Sequence, residues 1–194
     1  MKTRKETKRK GQFFLIGGLL ILMVFFIGLP KSDPLTYDPF NDIINAYSNI
    51  ESELGRALTL SLNASSSIDT FKNFTAFVES RMTGRFIIFD ALWVVSEGNA
   101  STITNVSVGN FLEAAANVTL NMTNDSGASE IKYLDVPKGG TNWTEFHTVT
   151  ANFTLLIAYN DDYKEVGWQR DKANLYFMVN LTRGGNTKKE NLNL

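Results

Sequence analysis

The chain of 194 residues has no cysteine, which excludes disulfides, thiolate metal sites and thiol nucleophiles together. It has one histidine, His147, so any Ser–His pair would have to use it, and no Gly-x-Ser-x-Gly elbow accompanies it. Within Thr144-Glu-Phe-His-Thr-Val149 that histidine reads as an exposed strand residue alternating with Phe146. Proline is scarce, and three of the four (Pro30, Pro34 and Pro39) fall within ten residues, where they mark a linker. Basic charge is scarce after residue 30: 13 Lys/Arg face 19 Asp/Glu. That balance argues against nucleic acid as a partner, because few phosphates could be neutralised.

Metal and phosphate motifs are also missing. Asp161, Asp162, Glu165 and Asp171 offer oxygen atoms, but their spacing matches no Ca²⁺ loop and reads as an acidic turn. Lys138-Gly-Gly-Thr141 lacks the upstream glycine of a phosphate loop and reads as a turn. No catalytic, cofactor-binding or metal-binding residue is assigned, and the chain is not expected to be an enzyme.

What is present begins at the N-terminus. Residues 2–10 carry six Lys/Arg against one Glu, and Phe13 to Leu29 carries no charge over 17 residues. With Gln12 added, a helix of that length spans roughly 27 Å, close to the hydrocarbon thickness of a bilayer. The charge asymmetry predicts a cytoplasmic N-terminus and an exterior C-terminal domain. The run is long for a cleaved secretory signal and fits a permanent signal anchor.

The second signal is Asn-x-Ser/Thr. Ten such tripeptides begin at Asn63, Asn73, Asn99, Asn105, Asn117, Asn121, Asn124, Asn142, Asn152 and Asn180, all on the expected outer side. They are candidate N-glycosylation sites, which makes an oligosaccharyltransferase an expected partner. Asn-apolar-Thr is also how the polar face of an Asn/Thr-rich strand is spelled. Both readings predict solvent-facing asparagines.

The periodicity predicts an α+β fold: an N-terminal transmembrane helix, two amphipathic helices, then an antiparallel β-sheet or small sandwich as the ectodomain. The expected segments are a basic cytoplasmic stretch (1–11), the transmembrane helix (12–29), a linker (30–40), a helical layer (41–84), a β-rich region (85–185) and a flexible tail (186–194). Ile43, Tyr47, Ile50, Leu54, Ala57/Leu58 and Ser61 recur at helical steps, as do Phe71, Phe74, Phe77/Val78 and Met82. Phe153/Leu155/Ile157/Tyr159 and Leu175/Phe177/Val179/Leu181 alternate as strands, and residues 160–167 between them suggest a turn joining an antiparallel pair. Trp93 reads as core. Trp143 and Trp168 fall in loop-like contexts, where an exposed indole could contact a ligand.

Lys8-Arg-Lys-Gly11, followed by Gln12 and the apolar run, resembles the class III signal peptide of archaeal type IV pilins and archaellins. The resemblance is confined to the N-terminal segment. It implies cleavage between Gly11 and Gln12 by a prepilin-type peptidase, with the apolar helix kept on the mature protein for self-association. Many pilins carry Glu at the fifth mature position; here it is Ile16, which leaves room for a minor pilin or a pilin-like membrane protein. The expectation is a single-pass glycoprotein of the cell surface, bound to the lipid bilayer and structural or adhesive in role. The alternative is a tethered extracellular solute- or sugar-binding domain.

Overall fold

The computed structural model describes residues 39–63, 67–97, 103–147 and 149–194. Residues 1–38, which include the expected cleavage site at Gly11 and Gln12 and the apolar run 12–29, lie outside the described residues, as does Asn99. Among the described residues two helices come first, α1 (Pro39–Asn63) and α2 (Ser67–Thr83). Nine strands follow: β1 (Ile88–Ser96), β2 (Thr104–Phe111), β3 (Ala116–Asn124), β4 (Ser129–Val136), β5 (Gly140–Phe146), β6 (Asn152–Tyr159), β7 (Asp162–Gln169), β8 (Asn174–Arg183) and β9 (Asn186–Asn193).

The helices form where the apolar spacing asks for them. Pro39 needs no hydrogen-bonded N–H in the first turn, and Asp42 there favours the positive end of the helix dipole. Ile43, Ala46, Ile50, Leu54, Ala57 and Ser61 are buried at three- and four-residue steps. On α2 the buried stripe is Phe71, Thr75, Val78 and Met82, and Phe77 turns outward. The end of α2 is closed by two backbone bonds: the Phe86 N–H donates to Thr83 O (3.1 Å) and the Ile87 N–H to Met82 O (3.0 Å). This is a Schellman closure, and Ile87 and Met82 are both buried in the core that the helices share with the sheet. The left-handed position is held by Phe86 at φ +57°, although Gly84 stands two residues away.

The strands make two antiparallel sheets, ordered β5-β2-β1-β8-β9 and β4-β3-β6-β7. The five-stranded sheet is the middle of three layers. One face packs on the helices through Ala91, Trp93, Val95, Phe177 and Val179. The other packs on the four-stranded sheet through Leu92, Val94, Val108, Tyr176 and Met178, opposite Leu120, Leu155, Ile157 and Trp168. The central strands β1 and β8 are thus buried on both faces, which is why Ala91-Leu-Trp-Val-Val95 is an unbroken apolar run. The four-stranded sheet has one wet face, and β3 and β6 alternate accordingly.

Three expectations need correction. The described domain is not the expected α+β fold, and no transmembrane helix is found among the described residues. The described chain is mostly β, with 52% strand, and neither of its two helices is long and apolar enough to cross a membrane. Residues 160–167 do not join two paired strands. Asn160, at φ +50°, and Asp161 make a tight turn into a further strand, β7, which pairs with β6. The alternating strands β6 and β8 therefore lie in different sheets. Residues 186–193 are not a flexible tail but strand β9, paired with β8 along its length. Gly184 (φ +56°) and Gly185 (φ +82°) supply the two positive φ angles of a type I′ hairpin turn.

Candidate functional site

At one end of the sandwich, three neighbouring strands place Asp90, Asn180 and Lys189 in one cross-strand row on the face toward the second sheet. Asn180 Nδ2 donates to Asp90 Oδ2 at 3.2 Å, while Asn180 Oδ1 is buried with no partner. Lys189 Nζ is ion-paired with Asp162 at the start of β7, and this bond raises the lysine pKa. With Leu112, Glu113, Tyr159 and Asn160 these residues line a cleft of roughly 290 Å³. Beneath it the Tyr176 hydroxyl donates to Asn191 Oδ1 at 2.9 Å. Burial, together with the neighbouring Tyr159 hydroxyl, pushes Tyr176 far above the ordinary phenol range.

The cleft can hydrogen-bond a small polar molecule, but it joins no nucleophile to a base. His147 is exposed beyond β5, and its backbone N–H donates to Glu130 Oε2 at 2.9 Å. Among the described residues no group of three His, Asp or Glu side chains stands close enough to hold a metal ion.

The second surface is the outer face of the four-stranded sheet. Strand register aligns Tyr133, Thr119, Ala158 and Tyr163 in one row and Ile131, Asn121, Leu156 and Glu165 in the next. Ser129, Thr123, Thr154 and Gly167 form a third row. Asn117 and Asn152 stand exposed at opposite ends of this face. Asn121 lies between Ile131 and Leu156, with its Oδ1 buried and unpartnered.

The remaining sequons are scattered. Asn73 is exposed on α2, but the hydroxyl of its partner Thr75 is buried and donates to Phe71 O at 2.7 Å. Asn63 ends α1, and Asn105 is exposed on β2. Asn124 Oδ1 accepts from the Ser126 and Ala128 N–H groups and shapes the β3–β4 turn. Asn142 Nδ2 donates to Asp135 O at 3.1 Å, which ties β5 to β4 across the sandwich edge. Asn180 is committed to Asp90, as described.

The two tryptophans part company. Trp143 lies on edge strand β5 and is 54% exposed. Trp168 is 2% exposed in the core, edge-on to Phe153, and its Nε1 donates to Asn193 Oδ1 at 3.0 Å. A contact between Trp168 and a ligand is therefore not available in this fold. Exposed aromatics that pattern reading did not single out are Phe40, Tyr133, Tyr163 and Phe86, and Phe77, expected on the buried stripe, is exposed as well. The alternation of β4 and β7 could have exposed the tyrosines; nothing local marks Phe86.

No family model, curated protein or solved structure matches the chain.

Proposed function

We propose that this chain is a surface glycoprotein anchored in the cell membrane through residues 12–29, with its N-terminus cytoplasmic and residues 39–194 outside. Its role is structural or adhesive, as a pilin-like, minor-pilin type of component, and it is not an enzyme. The observation that carries this reading is the outer face of the four-stranded sheet, where Thr119, Thr123 and Thr154 stand among tyrosine and aliphatic side chains and Asn117 and Asn152 are exposed at the two ends. Two acceptors so placed can carry glycans without disturbing either core. The basic segment and the apolar run of the sequence support the anchor. The proposed partners are the bilayer, a prepilin-type peptidase, an oligosaccharyltransferase and further copies of the chain.

Intact mass, N-terminal sequencing and glycopeptide mapping of the protein from its native membrane test this together. The expected mature chain begins at Gln12 and carries glycan at Asn117 and Asn152, with Asn180 unmodified because its amide already serves Asp90. A chain that retains Lys2 to Gly11 would remove the pilin-like assignment. Bare asparagines throughout would remove the glycoprotein assignment.

A second reading, a tethered solute- or sugar-binding domain, is favoured by exposed Trp143 and by the Tyr133 and Tyr163 rings. It requires saccharide binding that is lost in Trp143→Ala or in the two Tyr→Ala variants.

A further inference from the structure

One end of the domain gathers large apolar side chains in water. Asp42, in the first turn of α1, is ion-paired with both Arg85 and Arg183. That bridge brings together the start of α1, the α2–β1 turn and the β8–β9 hairpin. Around it Phe40 is 44% exposed, Phe86 83% and Ile88 63%. Phe86 and Ile88 border a second cleft, floored by Phe89, Phe111 and Leu112. Isolated exposed apolar residues are ordinary, but three at one end, two of them flanking a cleft with an apolar floor and a charged rim, call for an occupant.

Phe86 adds an independent observation. It holds the left-handed helix-closing position that glycine normally takes, and its ring receives almost no packing from the domain in return. A strained backbone position that leaves its ring in water points to a role for that ring outside the fold.

The course of the chain identifies what that is. The described domain begins at Pro39, three residues before Asp42, so the polypeptide leaves from this same end. The linker 30–38 has nine residues and spans at most about 30 Å even when fully extended. If residues 12–29 lie in the bilayer, this end cannot stand farther than that from the lipid surface. We infer that this end of the domain rests on the bilayer, with Phe86 and Ile88 entering the interfacial layer of the lipid. The inference depends on the membrane-anchored reading above. Aromatic and aliphatic side chains favour that layer because they bury apolar area there while nearby polar groups stay hydrated. Glu79, Asp90 and Glu113 also line the cleft beside Lys138, so the attraction is apolar rather than electrostatic.

The absence of cysteine makes the test clean, since one introduced thiol is the only label site. Full-length Phe86→Cys, Ile88→Cys and Ser126→Cys would each carry an environment-sensitive fluorophore in phosphatidylcholine/phosphatidylglycerol vesicles. Ser126 lies in the β3–β4 turn, at the opposite end of the second sheet from Tyr159, which lines the first cleft together with Asp90. Labels at 86 and 88 should be about five-fold less accessible to aqueous iodide than the label at 126, and quenched by spin-labelled lipid. Labels at 86 and 88 as open to iodide as the one at 126, on chains that float with the vesicles, would overturn this inference and leave the anchored reading standing. Chains that fail to float would overturn both. Protection that disappears on dilution to one chain per vesicle would mean a second copy covers the patch, and would likewise overturn the inference. Because position 86 is strained, Ile88→Cys is the variant whose folding is least in question, and circular dichroism checks both.

Discussion

Replacing Gly109 with alanine should be among the most damaging single-methyl changes in the protein. Gly109 on β2 lies directly across from Trp93 on β1. A Cβ at position 109 would fall 2.5 Å from Trp93 Nε1 and closer still to two carbons of the same ring. The indole cannot slide away, because Trp93 is wholly buried and tilted against Phe71, centroid to centroid 5.6 Å, and Phe71 is itself fully buried. Forcing extra atoms into such a site costs about 1–3 kcal/mol, and a contact this short with a rigid ring belongs at the upper end. Reduced freedom of the unfolded chain returns about 0.4–1 kcal/mol. The net loss of about 2 kcal/mol would lower Tm by about 4–8 °C in a protein of this size. Urea unfolding in mild detergent, followed by tryptophan fluorescence, should show a lower midpoint at unchanged slope. Trp93→Phe removes the clashing half of the indole and an Nε1–H that has no partner, so it should rescue Gly109→Ala by more than 1 kcal/mol in a double-mutant cycle. A neutral Gly109→Ala, or strictly additive effects, would refute the packing argument.

Two further outcomes follow from the same geometry. Phe86→Gly should stabilise the domain by about 1 kcal/mol, because glycine relieves the left-handed strain and the exposed ring contributes little packing; a lower melting temperature would show that the ring packs within the fold. Burial alone would raise the Glu130 pKa, but hydrogen bonds from Lys132 and the His147 N–H outweigh it and hold the carboxyl below the ordinary glutamate range. A depressed folded-state pKa contributes stability that is present above the unfolded value, about 4.3, and is lost as pH falls through the folded one. Glu130→Gln should therefore flatten the acid limb of a stability–pH curve below about pH 4 while leaving the shape near neutrality unchanged; an identical acid limb would count against it.

Much of the architecture was legible in local pattern. The helical stripe from Ile43 to Ser61 and the alternation in β3 and β6 follow from one buried face meeting one wet one, a period that residue order records directly. β9 escaped notice because its partner, not its own composition, makes it a strand. Asn186-Thr-Lys-Lys-Glu-Asn-Leu-Asn193 has a single large apolar residue, and the Gly184-Gly185 turn that folds it back onto β8 was the only local signal. Trp168 looked like a loop residue because Gly167, Gln169 and Arg170 surround it, yet β7 sets that one ring inward against Phe153.

The sequence by itself determined the polarity of the chain, the absence of thiol chemistry, the positions of ten sequons and two helical faces, because each of these is a property of neighbours along the chain. Which sequons stand free was decided only by the tertiary structure. Asn180 and Asn152 spell the same motif, but strand register delivers one to Asp90 and leaves the other in water. The same holds for the patch at Phe40, Phe86 and Ile88. Residues 40, 86 and 88 share one end of the domain, where Asp42 pairs with both Arg85 and Arg183, and no local spacing encodes that encounter.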